Sequence, residues 1–238
     1  MPSQHTVVVG GSSGIGLATA QHLLAAGTRV TITGRSEARL AEAGLRLGAE
    51  AQTVQMDASV AEALPGQFAR IGKFDHLVLA LGSDKGFGPL ATVSLADVRR
   101  GFEEKVFAHF AAAQAALPYL NPTGSITFVA AVSAHAAMPG TAGIGAANAA
   151  IAALVPILAA ELKPMRVNAV SPGVVDTPWW EAFPEDQKLA MFKEYAAKTP
   201  VGRVGQPEDI AQAIHFLIGN GFMTGHTLIC DGGLRLAV

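Results

Sequence analysis

The sequence predicts an α/β fold in which a doubly wound, seven-stranded parallel sheet carries helices on both faces. Three observations carry that expectation. Short β-branched runs alternate with longer Ala- and Leu-rich stretches along the chain. The runs are continuously apolar, the pattern of strands covered on both faces. The first run also opens straight into a glycine-rich turn, Gly10-Gly11-Ser12-Ser13-Gly14-Ile15-Gly16, and a helix follows.

In order, residues 6–9 (TVVV) form the first strand and residues 29–33 (RVTIT) the second. Ser36 offers a hydroxyl N-cap for the helix after it. Residues 51–55 are the third strand, ending at Met56-Asp57, and residues 75–81 (DHLVLAL) hold the fourth. One long helix is expected over 94–117, then a fifth strand over 125–129 (SITFV). Residues 142–160 are uncharged and of membrane-spanning length. They contain Asn148 and Pro156 and most of their apolar residues are alanine, so we expect a buried or subunit-contacting helix that Pro156 kinks or interrupts. Residues 166–170 (RVNAV) and 227–230 (TLIC) complete the strands. Residues 177–200, with Trp179, Trp180, Phe183, Phe192 and Tyr195, leave the alternation. They read either as a substrate flap or as a helical excursion packed by its own aromatics.

Composition limits the functions open to the chain. Its 238 residues are 50% hydrophobic and 15% charged, enough for one large core and a single domain over 1–238. A net charge of −2 without Lys/Arg runs gives no footprint for nucleic acid or an anionic membrane. The MPSQH start has neither the charged region nor the apolar region of a signal peptide, so a cytoplasmic protein is expected. With Cys230 the only cysteine, neither an internal disulfide nor a thiolate metal cluster is expected.

The spacing Gly10-x-x-x-Gly14-x-Gly16 lets the backbone turn sharply and come close to a ligand, while helix N-terminal amides suit a pyrophosphate. This turn resembles the TGxxxGxG cofactor turn of the short-chain dehydrogenases/reductases, with Val9 in place of Thr. Met56-Asp57-Ala58 is similar to that family's adenine-contacting segment. Ser171-Pro172-Gly173-Val174-Val175-Asp176-Thr177 is similar to its nicotinamide-side turn. Arg203 to Asp209 and Asp231-Gly232-Gly233 resemble its C-terminal signatures, so the likeness covers essentially the whole chain. It implies a Rossmann fold in which Gly10, Ser12, Ser13, Gly14, Ile15 and Gly16 cradle phosphate. Asp57 and Ala58 would meet adenine. Ala80 and Gly82 would follow the fourth strand, and Pro172, Gly173, Val175 and Thr177 would close on the nicotinamide half. Where NAD-preferring relatives place an acid on the ribose, this chain has Gly34, then Arg35 and Ser36, so NADP(H) is the expected cofactor.

The resemblance fails at the reacting centre. The family uses a Tyr four residues before a Lys, which lowers the phenol pKa, so that a proton moves as hydride does. Aligned on the fifth and sixth strands, those positions hold Ile144 and Asn148; the family's Ser falls at Ala131 and its Asn at Lys105. Neither Tyr119 nor Tyr195 has a Lys four residues on. Candidates for a rebuilt proton relay are Ser133 and His135 beyond the fifth strand, Lys105 with His109 on one helix face, and Asn148. The chain therefore reads as an NADP(H)-linked oxidoreductase acting on a small apolar carbonyl, alcohol or enoyl compound with a non-standard proton donor. A non-redox isomerase or cyclase, or an inactive NADP(H)-binding sensor or partner subunit, stands as the alternative. Such relatives usually assemble, so a homodimer or homotetramer is expected.

Overall fold

Val7, Val8 and Val9 are all but inaccessible to solvent because their strand, β1 (His5–Val9), lies inside the sheet. The structure, a computed structural model, describes residues 4–237, so the first three residues of the MPSQH start lie outside it. Helix α1 (Gly14–Ala25), β2 (Arg29–Gly34), α2 (Glu37–Leu47), β3 (Ala51–Gln55), α3 (Leu64–Ile71) and β4 (Phe74–Leu79) make up the first half. After α4 (Leu95–Phe102) and α5 (Ala108–Ala116) come β5 (Leu120–Val129), α6 (Ala142–Glu161), β6 (Arg166–Pro172), α7 (Glu185–Lys198), α8 (Pro207–Gly219) and β7 (Thr227–Cys230). The seven strands pair in the order β3-β2-β1-β4-β5-β6-β7, every pair parallel.

Alternation along β1 sorts the core into two layers. Val7 and Val9 pack with Phe68, Ala112, Phe128 and Ile151 on the face covered by α3, α5 and α6. Val8 packs with Leu17, Leu23, Leu40, Ile214 and Leu217 under α1, α2 and α8. The chain leaves β1 toward β2 on one side and returns as β4 on the other. The strand order therefore reverses beside the glycine turn, where ligands of such sheets bind.

Several elements differ from expectation; β5 begins at Leu120 rather than at 125, and β6 runs on to Pro172. The helix expected over 94–117 is interrupted by a π-helical segment, Glu103–Phe107, in which the Ala108 amide donates to the Glu103 carbonyl five residues back. Helix α6 runs unbroken through Pro156. Pro156 is exposed, so the carbonyl four residues earlier that loses its amide partner can turn to water. By length and composition α6 could cross a membrane, but Gly145, Ala147, Asn148, Ile151 and Val155 form a buried face on it. Another difference is small: the fourth strand ends at Leu79, and Ala80 begins the loop after a last amide bond to the Val9 carbonyl. Ser36 caps α2 as expected, accepting from the Arg39 amide at 3.3 Å.

The segment over 177–200 is helical over most of its length. A 3₁₀ turn, Pro178–Ala182, leads into α7, and Trp180 is the hub of its aromatic packing. Its ring centroid lies 4.8 Å from that of Trp179, 5.3 Å from Phe192 and 5.7 Å from Phe183. Trp179 Nε1 donates to the Ser83 carbonyl, and Trp180 Nε1 to that of Val175, each at 2.9 Å. These bonds tie the excursion to the loops after β4 and β6.

Candidate functional site

The glycine turn is built so that nothing but backbone occupies its centre. Gly10 has φ +81° and, with Gly11, donates its amide to the Thr33 carbonyl, which pins the turn to β2. A Cβ on Gly16 would collide with the Gly10 carbonyl oxygen, so α1 can start this close to β1 only with glycine there. Ser13 stands at the N-cap of α1 with extended backbone and no side-chain capping bond, and the first turn carries no acid. The helix N-terminus is thus left open to an anion. Across from it, a Cβ on Gly14 would lie 3.3 Å from Thr177 Cβ, so the N-terminal turn and the segment after β6 face one another.

Between them runs a cleft of about 850 Å³. Every position expected to hold the nucleotide lines it, from Gly10, Ser12, Ser13, Gly14, Ile15 and Gly16, through Arg35, Ser36, Asp57, Ala58, Ala80 and Gly82, to Pro172, Gly173, Val175 and Thr177. At one end Arg35 is joined by Arg39 and Ser59, both missed from sequence. Arg39 sits one turn into the helix that Ser36 caps, a spacing that could have found it. Asp57 Oδ1 accepts from the amide and hydroxyl of Ser59 at 3.0 and 2.7 Å. At the other end the walls are Phe87, Met138, Ile144, Trp179, Trp180 and Tyr195. Tyr195, named from sequence within the 177–200 segment and set aside as a proton donor for want of a Lys partner, lines this end. Burial pushes its phenol pKa up.

Lys105 lies in the π segment, 7% exposed, and lines the cleft. Its Nζ donates to the carbonyls of Leu81 and Val129, just after β4 and at the end of β5, at 2.9 Å each. Desolvation lowers its pKa to about 8. His109 is fully buried, with Nδ1 2.6 Å from the Lys105 carbonyl and Nε2 3.0 Å from the Leu79 carbonyl. A doubly protonated ring would suit both carbonyls. Burial and then the Lys105 ammonium push its pKa down to about 3, so the ring is neutral and donates to one of them.

Asn148 is 2% exposed, and its Nδ2 donates to the Ile144 carbonyl at 3.0 Å and to Ser133 Oγ at 3.2 Å. The carbonyl can only accept, which fixes the amide's orientation. Asn148 Oδ1 is buried and has no hydrogen-bond partner among the described residues. Lys105, Ser133 and Asn148 therefore share the inner cleft, whereas His135 does not join them. The 3₁₀ turn Val132–Ala134 leaves His135 exposed and outside the lining, so, contrary to expectation, it is not placed to join a relay there. His109 lies behind Lys105 rather than in the cleft. Ala131 and Ile144 line it with apolar side chains only. Glu104 lines it too, accepting from Ser83 Oγ at 2.8 Å and pairing with Arg100 at 3.3 Å. Among the described residues no group of three or more His, Cys, Asp or Glu side chains is placed to hold a metal ion.

Comparison with known proteins places these features in context. The family profile described as Enoyl-(Acyl carrier protein) reductase matches residues 9–235. Cis-4-hydroxycyclohexanecarboxylate dehydrogenase of Sinomonas cyclohexanicum is 33% identical over 95% of this chain and 94% of its own. A small-chain dehydrogenase solved in complex with NADPH superposes with a TM-score of 0.86 at 32% identity, covering 98% of this chain and 99% of that one. A single-site variant of actinorhodin polyketide ketoreductase, also with NADPH, gives 0.88 at 27% identity over 98% and 97%.

Proposed function

The chain belongs to the short-chain dehydrogenase/reductase family, and we propose that it is an NADP(H)-dependent member that reduces or oxidises a small apolar carbonyl, alcohol or enoyl compound without the family's tyrosine acid. The observation that carries this is one continuous cleft. A two-arginine end, an open helix N-terminus and an aromatic-walled end follow one another in the order of a phosphorylated dinucleotide and then a substrate.

The residues fit that cofactor. The Gly16 contact keeps the phosphate cradle free of side chains, and the first amides of α1 with Ser13 take the pyrophosphate. Arg35 and Arg39 take the 2′-phosphate as paired guanidiniums. Asp57, with one carboxylate oxygen held by Ser59, would have the other available to the adenine amine. When bound, the nucleotide supplies or accepts hydride at its nicotinamide ring. Trp179, Trp180, Met138 and Ile144 keep water from that end and favour an apolar substrate. Proton delivery falls to the inner cleft, where Ser133 and Lys105 carry dissociable protons and Asn148 does not.

Absence of a side-chain hydroxyl at Ala131 and Ile144 favours a second reading, in which nucleotide is bound but no hydride moves. Monitoring NADPH absorbance against a panel of cyclic and linear ketones, aldehydes and enoyl thioesters separates the two. Steady oxidation with any of them supports the proposal, whereas saturable NADPH binding with no oxidation across the panel favours the alternative.

A further inference from the structure

We infer that the chain has exchanged the places of an ammonium and a carboxamide across its cleft: Lys105 on the π segment gives the proton to the substrate oxygen, and Asn148 on α6 holds the nucleotide through its unpaired Oδ1. The inference rests on the hydride-transfer function proposed above. By the family resemblance an Asn belongs at 105 and a Lys at 148, and this chain carries each residue type at the other's position. Both side chains are more than nine-tenths buried, and both line the cleft. The two groups are also placed to act. Helix α6 packs against the π segment and against the turn that carries Ser133, so the exchange takes place within one cluster.

Asn148 Oδ1 is the clearer of the two. Its Nδ2 is committed to the Ile144 carbonyl and Ser133, so Oδ1 is held in a fixed direction without a donor among the described residues. A buried acceptor left unmet is costly, and a ligand hydroxyl or amide can meet it. The sugar hydroxyls of the nicotinamide nucleoside are the chemical class that fits, since Asn148 lines the same cleft as the glycine turn and the segment after β6.

Lys105 commits two of its three ammonium protons to the Leu81 and Val129 carbonyls, which fix Nζ and leave one proton. Desolvation alone brings its pKa to about 8, close to the working range of an acid at neutral pH. The charged groups around it are few. His109 one turn on is neutral, and Glu104 beside it is held by Ser83 and Arg100. Asp84 with Lys85 lies at the exposed loop after β4. Neither β5 nor α6 before Glu161 carries an ionisable side chain, and those of β4, Asp75 and His76, lie at its other end. In the reducing direction the carbonyl carbon gains hydride and the C=O π pair moves to oxygen. Oxygen bonds the Nζ proton while the N–H pair stays on nitrogen. Substrate is reduced, nucleotide is oxidised, and solvent recharges the amine.

The test uses Lys105→Arg, Lys105→Met, Asn148→Leu and the wild-type protein. Reduction by wild type should be level below about pH 8 and fall about tenfold per pH unit above it. Lys105→Arg keeps the charge but does not release a proton, so kcat should fall by roughly 10² or more with that limb gone and NADPH affinity held within about twofold. Lys105→Met should match it if it folds. Asn148→Leu should weaken NADPH binding by about tenfold in a fluorescence titration. Its apo thermal midpoint should not fall in step, because the unmet acceptor is gone. Wild-type kcat and pH limb in Lys105→Arg would remove the acid while leaving hydride transfer intact. Undiminished NADPH affinity in Asn148→Leu would remove the sugar contact. If wild type binds NADPH but oxidises it with no substrate in the panel, hydride transfer and the role of Lys105 fall together, and Asn148 is still decided by affinity.

Discussion

At the scale of single residues, the proposed preference for NADP(H) rests on the residues where β2 ends. An acidic side chain that would grip a ribose diol has no counterpart at Gly34, and a Cβ there would press on Ser12 Oγ at 2.8 Å. What the chain offers instead is charge of the opposite sign, Arg35 and then Arg39 one turn into α2. Arg35 is exposed, so screening weakens any long-range attraction, and under the proposed NADP(H) reading its contribution would come from direct bonds to the phosphate. Such charge-assisted bonds contribute about 1.5–3 kcal/mol, which is roughly ten- to hundredfold in affinity. Arg35→Asp should therefore raise the NADPH Kd by about that factor and leave the NADH Kd unchanged or lower. Fluorescence titrations with both nucleotides check this, and an unaltered NADPH-to-NADH ratio would show that Arg35 is only a solvated charge.

Among the elements, α7 is the one with least holding it. None of its residues is fully buried, and its attachment runs through the Trp180 ring stack, the two indole bonds and the Lys188–Asp176 pair at 3.1 Å. Trp180→Ala should expose residues 178–198 to limited proteolysis and raise the substrate KM several-fold. Global stability should fall far less than the about 3–5 kcal/mol expected for truncating a core aromatic such as Phe128. Equal loss of melting point in Trp180→Ala and Phe128→Ala would mean that α7 belongs to the cooperative core. Elements also mark how far the sequence could be read. The strands and the glycine turn were legible because burial on two faces and a side-chain-free phosphate cradle each leave a residue pattern. The π segment was not, because Glu103-Glu104-Lys105-Val106-Phe107 suits either helical register and tertiary packing chooses between them. The run through Pro156 depended on exposure, which periodicity does not report. Ser133 and His135 looked equivalent beyond β5 until the turn at Val132–Ala134 put one in the cleft and the other in solvent.

For the molecule as a whole, the buried imidazoles tie stability to pH. His76 sits on β4 with Nδ1 2.8 Å from Ser125 Oγ on β5 and a buried Nε2 that has no partner among the described residues; burial pushes its pKa down to about 4. His109, against the far end of the same strand, is down at about 3. In the unfolded chain both titrate near the ordinary value of about 6.5. Between about pH 6.5 and 4 the unfolded state therefore holds protons that the folded state refuses, and stability rises with pH across that window. Each ring contributes up to about 1.4 kcal/mol per pH unit there. The carboxylates held below their usual range, Asp75, Asp209 and Asp231, act with the same sign but below about pH 4, so the two windows separate. Urea midpoints should consequently fall steadily from pH 7 to pH 4.5. Because β4 pairs with both β1 and β5 at the centre of the sheet, exposing either ring opens the whole core. Fluorescence and far-UV dichroism should report the same midpoint at each pH, and His76→Leu should flatten the slope, His109, His5 and His215 keeping the rest of it. A midpoint unchanged over that range would mean that the two rings are protonated in the folded protein.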